Sequence, residues 1–213
     1  MPRSKEGLAR LVDREGVAPR VVRAFREVAR EDFVPDAYRS DAYSDRPVPI
    51  LERQTTSQPS LIARMIDAAD VLPGDRLLEI GTGFGFQTAL LSRLGGEVVS
   101  VERHPSLARA ARENLARAGI ENVRVVVGDG WMGWPEAAPY DAIIVSAGAP
   151  EVPEAFVDQL VDGGRIVIPL KKGAAEEVVL LVKNGDHLVR ARVLTPARFV
   201  PLVKGAAPDQ SNE

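Results

Sequence analysis

One glycine-rich segment restricts the fold of this chain more than any other. Residues 76–80 form an apolar, strand-like run, and Gly81, Gly83 and Gly85 then follow at alternate positions before a helical pattern begins at residue 86. Glycine allows the backbone to turn tightly and to approach a ligand closely, and the start of a helix offers free backbone amides. A strand, a glycine loop and a helix in this order predict the ligand-binding edge of an α/β sheet.

The alternation of strand and helix continues along the chain. Apolar runs predict strands at 76–80, 97–101, 123–127, 141–146 and 164–169, and helical spacing predicts helices at 86–94, 105–118 and 151–161. Two further strands at 177–183 and 187–194 flank Asn184-Gly185-Asp186, which is a hairpin turn signal. We therefore predict an α/β fold with a doubly wound, mostly parallel Rossmann-like sheet and a C-terminal antiparallel hairpin.

The segment before the glycine loop predicts a cap rather than a second domain. Residues 4–30 show helical spacing, residues 36–56 lack periodicity, and a second helix is expected at 58–70. A chain of 213 residues suffices for one α/β domain with modest additions. We predict three parts, which are an N-terminal helical and extended cap at 1–57, a main domain at 58–205 and a flexible tail at 206–213.

Composition argues against several kinds of site. The chain has no cysteine, which excludes disulfides, thiolate metal ligands and cysteine nucleophiles, and only two histidines, which disfavours a zinc site or a Ser-His-Asp triad. A net charge of −3 with charge runs of mixed sign indicates no basic surface for nucleic acid. No stretch approaches the roughly 18 apolar residues of a membrane-spanning helix. We expect a cytoplasmic monomer that binds no metal, nucleic acid or membrane.

Four details of the glycine segment and of the later strand ends favour S-adenosylmethionine (AdoMet) over a dinucleotide. The spacing is G-x-G-x-G rather than G-x-G-x-x-G. Glu79 stands two residues before the loop, where a sulfonium cation is tolerated and a pyrophosphate is not helped. Glu102 ends the next strand, where a carboxylate can bind both ribose hydroxyls. Asp129 and Gly130 follow the third strand, where an acid can accept a hydrogen bond from an adenine amino group.

Each of these residues also has a purely structural interpretation. The glycines could form a tight turn without a ligand, Glu102 could be a solvated strand end, and Asp129 could be a turn former. Because they all lie at the carboxyl ends of predicted parallel strands, one ligand accounts for them together. The sequence therefore predicts an AdoMet-dependent methyltransferase. A nucleotide-dependent oxidoreductase and an AdoMet-binding module without activity are the alternatives from other classes.

Segments along nearly the whole chain resemble one methyltransferase family. Arg53-Gln-Thr-Thr-Ser-Gln-Pro59, followed by an amphipathic helix, is similar to the Q-T-[IV]-S-Q-P signature of protein-L-isoaspartate O-methyltransferases. The resemblance covers about residues 17–203 and continues through Val48-Pro-Ile50, Leu78-Glu-Ile-Gly-Thr-Gly83, Val99-Ser-Val-Glu-Arg103, Val127-Gly-Asp-Gly-Trp131, Tyr140-Asp-Ala-Ile-Ile144 and Arg198-Phe-Val-Pro-Leu202.

This resemblance implies the repair of aged proteins. Such enzymes transfer the AdoMet methyl group to the free α-carboxylate of an L-isoaspartyl residue, and the ester then closes to a succinimide that hydrolyses partly to normal aspartate. Ser57 matches the position of the family's active-site serine, and we interpret it as a donor to the substrate carboxylate rather than as a nucleophile. By the same resemblance, Val200 and Pro201 in the extended tail flank the substrate peptide.

The chemistry of a carboxylate acceptor suits the residues at this helix start. A carboxylate with an unperturbed pKa of roughly 3.5 is ionised at neutral pH and needs no general base. Thr55, Thr56 and Ser57 supply hydroxyls beside a first helical turn, whose free amides attract an anion. The structural alternative for Ser57 is a helix cap. We predict substrate contacts from Thr55, Ser57, Val200 and Pro201, and cofactor contacts from Gln54, Thr55, Thr56, Glu79, Gly81, Gly83, Gly85, Glu102, Arg103, Asp129 and Gly130.

The chain departs from the family pattern at a few positions. Arg53, preceded by Glu52, stands where glycine usually precedes the Gln-Thr motif, Phe84 and Phe86 replace the usual Ser and Tyr, and Thr56 replaces a common Ile or Val. Arg53 is expected near the substrate edge and could change which peptide is accepted. The nearest alternative acceptor is therefore an ordinary aspartate in a dedicated peptide, and a small-molecule methyltransferase is a more distant alternative.

Overall fold

The computed structural model describes residues 4–173 and 175–207. Its helices are α1 (Lys5–Asp13), α2 (Pro19–Glu27), α3 (Pro59–Ala68), α4 (Phe86–Ser92), α5 (Pro105–Arg117) and α6 (Glu154–Gln159). Its strands are β1 (Val48–Pro49), β2 (Thr55–Thr56), β3 (Arg76–Ile80), β4 (Glu97–Glu102), β5 (Val123–Val127), β6 (Tyr140–Val145), β7 (Leu160–Lys172), β8 (Ala175–Asn184) and β9 (His187–Ala197).

Seven strands form one sheet in the order β5-β4-β3-β6-β7-β8-β9. Strands β3 to β7 pair in parallel, whereas β8 is antiparallel to both β7 and β9. The predicted doubly wound sheet with a C-terminal antiparallel hairpin is therefore confirmed. The chain moves outward from β3 to β5 and then returns to the other side of β3 with β6, so the strand order reverses between β3 and β6. Ligands of such sheets bind beyond the carboxyl ends of the strands at this reversal.

The N-terminal helical segment differs from the sequence-based expectation of one helix over 4–30. Helix α1 ends before Gly16, which has a left-handed φ of 73°, and α2 begins at Pro19. Proline suits a first helical turn and forces the preceding residue, Ala18, into extended backbone with a ψ of 142°. A short 3-10 helix over Arg30–Phe33 follows α2. The result is a helical hairpin rather than one long helix.

This helical hairpin packs into the main core. Leu8, Val12 and Phe25 are buried in the same apolar cluster as residues of α3, α4 and the sheet. The Phe25 ring meets the edge of Phe86, the first residue of α4, at 5.8 Å between centroids. The cap is thereby fixed to the helix that follows the glycine loop.

The opposite face of the sheet buries a second apolar cluster. Tyr140 and Phe156 are fully buried there, and Trp131 and Trp134 pack against them. Both tryptophans are therefore packing residues. Within the two described ranges, no helix is long and apolar enough to cross a membrane. Residues 208–213 of the expected flexible tail lie outside the described part of the chain.

Candidate active site

A cavity of about 230 Å³ lies beyond the carboxyl ends of β3, β4 and β6. Its wall combines the glycine loop (residues 81–86), the end of β4, the segment that enters α3, and the tail after β9. The lining residues are Ile50, Gln54, Thr55, Thr56, Ser57, Ile62, Ile80, Gly81, Thr82, Gly83, Phe84, Phe86, Gln87, Val101, Glu102, Arg103, His104, Leu107, Gly130, Ser146, Ala147, Val200, Pro201, Leu202 and Val203. We call it the first cavity.

The glycine loop needs glycine at all three alternate positions. Gly81, Gly83 and Gly85 have φ values of 92°, 57° and 91°, which side-chain-bearing residues rarely adopt. Gly81 and Gly83 line the first cavity. Gly85 does not, and a Cβ atom there would lie 3.4 Å from Leu115 of α5. The first two glycines therefore bring backbone to the cavity, while the third is favoured by its left-handed φ, since a Cβ atom there would make ordinary contacts with α5.

Glu102 ends β4 with its carboxylate in the wall of the first cavity. The amide of Gly83 donates to its Oε2 at 2.9 Å, and the amide of His104 donates to its Oε1 at 3.0 Å. Burial raises the pKa of this carboxyl, and these backbone hydrogen bonds oppose that effect. A carboxylate oxygen can accept more than one hydrogen bond. Each oxygen of Glu102 can therefore still accept a ligand hydroxyl.

Glu79 lies beneath the glycine loop and does not line the cavity. It is fully buried in β3 and accepts hydrogen bonds from the side chains of Gln87, Thr88 and Ser100. Burial raises its pKa to about 7, and the three hydrogen bonds only partly offset this. Its carboxylate acts on the cavity through Gln87, which does line the wall.

Of the two residues after β5 that the sequence predicts as cofactor contacts, only Gly130 lies in the wall of the first cavity. The Asp129 carboxylate accepts a hydrogen bond from the amide of Trp131 at 2.9 Å and so caps a short 3-10 turn. It is half-buried beside the first cavity rather than in its wall, whereas Gly130 is in the wall. A Cβ atom at Gly130 would lie only 2.6 Å from Ile80, so the strand end can approach β3 only without a side chain there.

A second cavity of about 250 Å³ adjoins the first. It runs between the start of α3 and the segment from Thr195 to Val200. Four residues line both cavities, and three of them carry hydroxyls. We call these four residues, which are Thr55, Ser57, Ser146 and Val200, the shared wall. A ligand in one cavity and a ligand in the other would meet there.

The helix-entry loop (residues 54–60) carries two of the shared-wall hydroxyls and is held by a buried arginine. Arg30 has no exposed side-chain surface, and its guanidinium donates to the carbonyl oxygens of Ala42, Ser44 and Arg46 at 2.9 to 3.1 Å. It also donates to Thr56 Oγ1 at 2.9 Å and to the Ser57 carbonyl at 3.2 Å.

The charge of Arg30 survives its burial. Desolvation lowers the pKa of Arg30 to about 10, and the nearby Asp45 carboxylate opposes that effect. The guanidinium is therefore protonated at neutral pH and can donate to all five oxygens. It also lies over the Phe86 ring, 5.5 Å from the centroid. One side chain thus links the helix-entry loop to the start of α4.

Asp45 fixes the same loop from the other side. Its carboxylate accepts the amide of Ser60 at 2.9 Å, the hydroxyl of Ser60 at 2.9 Å and the side-chain amide of Gln58 at 2.9 Å. The Ser60 amide belongs to the first turn of α3, where backbone amides lack helical partners. Asp45 therefore takes the capping role, and no side-chain cap comes from within the loop itself. Ser57 is not the cap of this helix.

The turn between β1 and β2 covers the first cavity with unusual backbone. Glu52 and Arg53 both adopt left-handed conformations, with φ values of 56° and 55°. The Glu52 carboxylate accepts the Ser106 hydroxyl at 2.6 Å and lies 3.7 Å from His104 Nδ1. These contacts attach the cover to the start of α5. Arg53, which stands where the family usually has glycine, thus has a backbone conformation that favours glycine.

The tail after β9 closes the remaining side. The amide of Gly148 donates to the Val200 carbonyl at 2.8 Å, and the amide of Leu202 donates to the Gly148 carbonyl at 2.8 Å. The amide of Phe199 is held by the Glu176 carboxylate at 2.8 Å. Val200 and Pro201 consequently lie in the cavity wall as extended backbone.

Most of the sequence-predicted site residues meet at this location. Those in the wall of the first cavity are Gln54, Thr55, Thr56, Ser57, Gly81, Gly83, Glu102, Arg103, Gly130, Val200 and Pro201. Glu79, Gly85 and Asp129 lie behind or beside it. Sequence reasoning did not include Arg30, Asp45, Gln87, His104 or Ser146. Ser146 could have been found, because it is the last residue of the strand predicted at 141–146 and so lies at the carboxyl edge.

A seven-stranded doubly wound sheet with an antiparallel C-terminal hairpin and a cavity over its glycine loop is the architecture of Rossmann-like methyltransferases, and this chain matches it. The sequence model of the protein-L-isoaspartate(D-aspartate) O-methyltransferase family matches residues 3–207, which is nearly the whole chain. The chain therefore belongs to this family, and the resemblance found in the sequence is confirmed.

Individual relatives agree with this assignment. A protein-L-isoaspartate O-methyltransferase of Methanoculleus marisnigri is 50% identical over 184 residues, which cover 86% of this chain and 83% of the relative. A solved protein-L-isoaspartate O-methyltransferase is 37% identical with a TM-score of 0.86, covering 92% of this chain and 65% of that one. A Plasmodium falciparum chain solved with S-adenosyl-L-homocysteine has the same fold, with a TM-score of 0.82 at 24% identity over 95% of this chain and 100% of that one.

Proposed function

We propose that this chain transfers the methyl group of AdoMet to the free α-carboxylate of L-isoaspartyl residues in damaged proteins or peptides. The observation that carries the proposal is the shared wall, where hydroxyl-bearing residues separate a cavity over the glycine loop from a groove beside the extended tail. Membership of the isoaspartyl methyltransferase family supports the same acceptor.

The first cavity fits AdoMet by the chemistry of its wall. Glu102 retains acceptor capacity for ribose hydroxyls, and Gly81 and Gly83 bring backbone rather than side chains to the ligand. Two carboxyl groups lie at or behind the wall, because Glu102 is part of it and Glu79 is hydrogen-bonded to the wall residue Gln87. Negative charge near the cavity stabilises a sulfonium cation. We propose that Gln54, Thr55, Thr56, Arg103 and Gly130 complete the cofactor contacts, with Gly85 and Asp129 supporting them from outside the wall.

When bound, AdoMet supplies a methyl carbon on a sulfonium sulfur, so that a new C–O bond forms to the acceptor as the C–S bond breaks and the sulfur keeps the electron pair. The side chains of this protein move no proton in that exchange, because the acceptor carboxylate is already ionised at neutral pH. Their contribution is to orient the carboxylate and to remove water from it.

Ser57 is the side chain best placed to orient the acceptor. It lies in the shared wall, and its backbone carbonyl is held by Arg30 at 3.2 Å, so its position is fixed by a buried group. Since Asp45 caps α3, the Ser57 hydroxyl is not required for helix capping. We propose that it donates to the acceptor carboxylate. Thr55, Val200 and Pro201 then hold the neighbouring peptide, with Val200 already in extended backbone beside the groove.

The later steps need no further group from the protein. A methyl ester can expel methoxide, whereas a free carboxylate would have to expel oxide. The neighbouring backbone nitrogen can therefore attack the ester carbonyl and close a succinimide, and its proton leaves with the methoxide as methanol. Water then opens that ring, partly to normal aspartate. This agrees with the second cavity, whose lining residues in the described part of the chain include no histidine and no carboxylate.

A paired peptide assay tests the proposal. Two peptides that differ only in an isoaspartyl or an aspartyl linkage are incubated with AdoMet, and mass spectrometry locates any methyl group. We expect methylation of the isoaspartyl peptide at its α-carboxylate and none of its aspartyl twin. Equal or reversed preference would instead establish an enzyme for an ordinary aspartate in a dedicated peptide. AdoMet binding without either product would establish a binding module.

The N-terminal 57 residues are proposed to act as a cap that belongs to the site, because residues 54–57 lie in the wall of the first cavity. A monomer in the cytoplasm that uses no nucleic acid stays a prediction, which light scattering and cell fractionation would test.

A further inference from the structure

Ser146 occupies the point where the two cavities meet. It directly follows β6, and its amide donates to the carbonyl of Ile80 at the end of β3 with a distance of 2.8 Å. Its side chain lies against the glycine loop, since a Cβ atom at Gly81 would be 3.4 Å from its Cβ. Ser146 is thus fixed at the strand reversal of the sheet, and it is part of the shared wall.

The hydroxyl of Ser146 is held so that its proton is free. The side-chain nitrogen of Gln87 donates to Ser146 Oγ at 2.9 Å and to Glu79 Oε1 at 3.0 Å. An amide nitrogen can only donate, so Ser146 accepts in this contact. Within the described ranges the Ser146 side chain makes no other hydrogen bond. Its own O–H group is therefore available to a ligand in the shared wall.

The side-chain amide of Gln87 is oriented by the buried carboxylate of Glu79. Glu79 accepts the Gln87 amide nitrogen on one oxygen and the Thr88 and Ser100 hydroxyls on the other. This arrangement determines which end of the amide faces Ser146. The opposite end, Gln87 Oε1, is buried without a hydrogen-bond partner in the described part of the chain, and Gln87 is only 6% exposed. Gln87 Oε1 therefore needs a donor from water or from a ligand, and it cannot hold a carboxylate itself.

We propose that Ser146 is a second hydroxyl donor to the acceptor carboxylate, opposite Ser57, and that Gln87 is a positioning residue that directs the Ser146 proton into the shared wall. This inference rests on the proposed function. A carboxylate has two oxygens, and one of them must remain available to attack the methyl carbon. Two neutral hydroxyls can hold the group without the strong charge withdrawal that a guanidinium would exert on the attacking oxygen.

The choice of neutral donors agrees with the distribution of charge. Arg30 approaches Ser57 only through the backbone carbonyl and is separated from the shared wall by the loop itself. Glu79 faces Ser146 only through the Gln87 amide. A negatively charged acceptor consequently meets only uncharged side chains at the shared wall. Arg64 and Arg198 line the second cavity outside the shared wall.

The test compares Ser146→Ala with the natural enzyme on an isoaspartyl peptide at saturating AdoMet. We expect the KM for the peptide to rise about 10-fold, because a hydrogen bond to a charged group is lost, while the Kd for AdoMet changes less than about 2-fold. Ser92→Ala is the matched control, since its buried hydroxyl donates within its own helix to Ala89 and lies in neither cavity. It should leave both constants unchanged.

A double-mutant cycle tests the role of Gln87. Gln87→Met should raise the peptide KM when Ser146 is present and should have no further effect on it in Ser146→Ala. Additive effects would overturn the positioning role. A peptide KM for Ser146→Ala within about 2-fold of the natural enzyme, or an equal loss of AdoMet affinity, would overturn the proposal. If the natural enzyme itself fails to methylate the isoaspartyl peptide, the proposed function fails instead, and the two failures are distinguishable.

Discussion

The glycine loop and the helix-entry loop form facing parts of one site but are held in different ways. The glycine loop is placed by local features, namely the end of β3, three glycines with left-handed φ values, and the start of α4. The helix-entry loop is placed by distant side chains, because Arg30 and Asp45 bind its carbonyl, hydroxyl and amide groups. The backbone of the glycine loop is therefore determined within one short segment, whereas that of the helix-entry loop depends on several.

The two loops should respond differently to mutation. Changes in the glycine loop should affect AdoMet binding, and changes in the helix-entry loop should affect the acceptor or the stability of the cap. Four variants test this contrast, beginning with the one that should have the largest effect.

Arg30→Met removes the donor that holds the helix-entry loop. Several buried acceptors lose their partner, and we expect the free energy of unfolding to fall by about 3–5 kcal/mol. Urea denaturation monitored by circular dichroism measures the change. Arg39→Met is the control, because Arg39 is exposed and forms only surface ion pairs with Asp32 and Asp36, which contribute no more than about 1 kcal/mol. Equal stability of both variants would show that the loop is not held by Arg30.

Ser57→Ala removes the proposed carboxylate donor. We expect kcat/KM for the isoaspartyl peptide to fall about 10- to 100-fold, because a hydrogen bond to a charged group contributes roughly 1.5–3 kcal/mol. The Kd for AdoMet, measured by calorimetry, should stay within about 2-fold of its original value. Ser57→Thr keeps a hydroxyl and should retain more activity than Ser57→Ala. A selective loss of AdoMet affinity in Ser57→Ala would place Ser57 in the cofactor site instead.

Gly81→Ala should weaken the binding of AdoMet, in contrast to Ser57→Ala, which should impair use of the peptide. A side chain at a φ of 92° strains the glycine loop and enters the wall of the first cavity, so we expect the Kd for AdoMet to rise about 10-fold. Gly119→Ala imposes similar backbone strain at a φ of 64° where a Cβ would meet nothing within 4 Å. It should lower the melting temperature without changing AdoMet affinity. If both variants bind AdoMet equally, Gly81 does not contact the cofactor.

Arg53→Gly should have the smallest effect of the four variants, and it should stabilise the protein rather than destabilise it. Relief of a left-handed conformation should raise the free energy of unfolding by up to about 1 kcal/mol. Glu52→Gly gives the same backbone relief but loses the hydrogen bond from Ser106, so it should gain less. Urea denaturation compares the two variants. A destabilised Arg53→Gly would indicate a stabilising contact by the arginine side chain.

The sequence predicted the parts of the site that depend on local pattern. The strand ends that carry Gly81, Glu102 and Gly130 follow from apolar runs, and their convergence follows from the topology of a parallel sheet. Ser57 was identified from a short motif that resembles the family. In each of these cases the information lies within a few consecutive residues.

The remaining parts depend on contacts between distant segments. Arg30 is an arginine within a predicted helical segment, where a charged residue is expected to face solvent, yet it is fully buried. Four of its five partners lie within residues 36–56, which lack periodicity, so no spacing rule could connect them to Arg30. Glu79 shows the converse, because its sequence position suggested ligand contact and its burial makes that contact indirect.

The position of the shared wall has a consequence for the targets of the enzyme. In the proposed acceptor site, the carboxylate reaches the junction of the two cavities while its own chain lies extended beside Val200. A damaged residue inside a stable helix or a packed strand cannot present itself in that way. We therefore expect turnover on a folded target to follow the frequency with which the damaged segment opens locally. The proposed site thus favours methylation of those segments of other proteins that unfold locally.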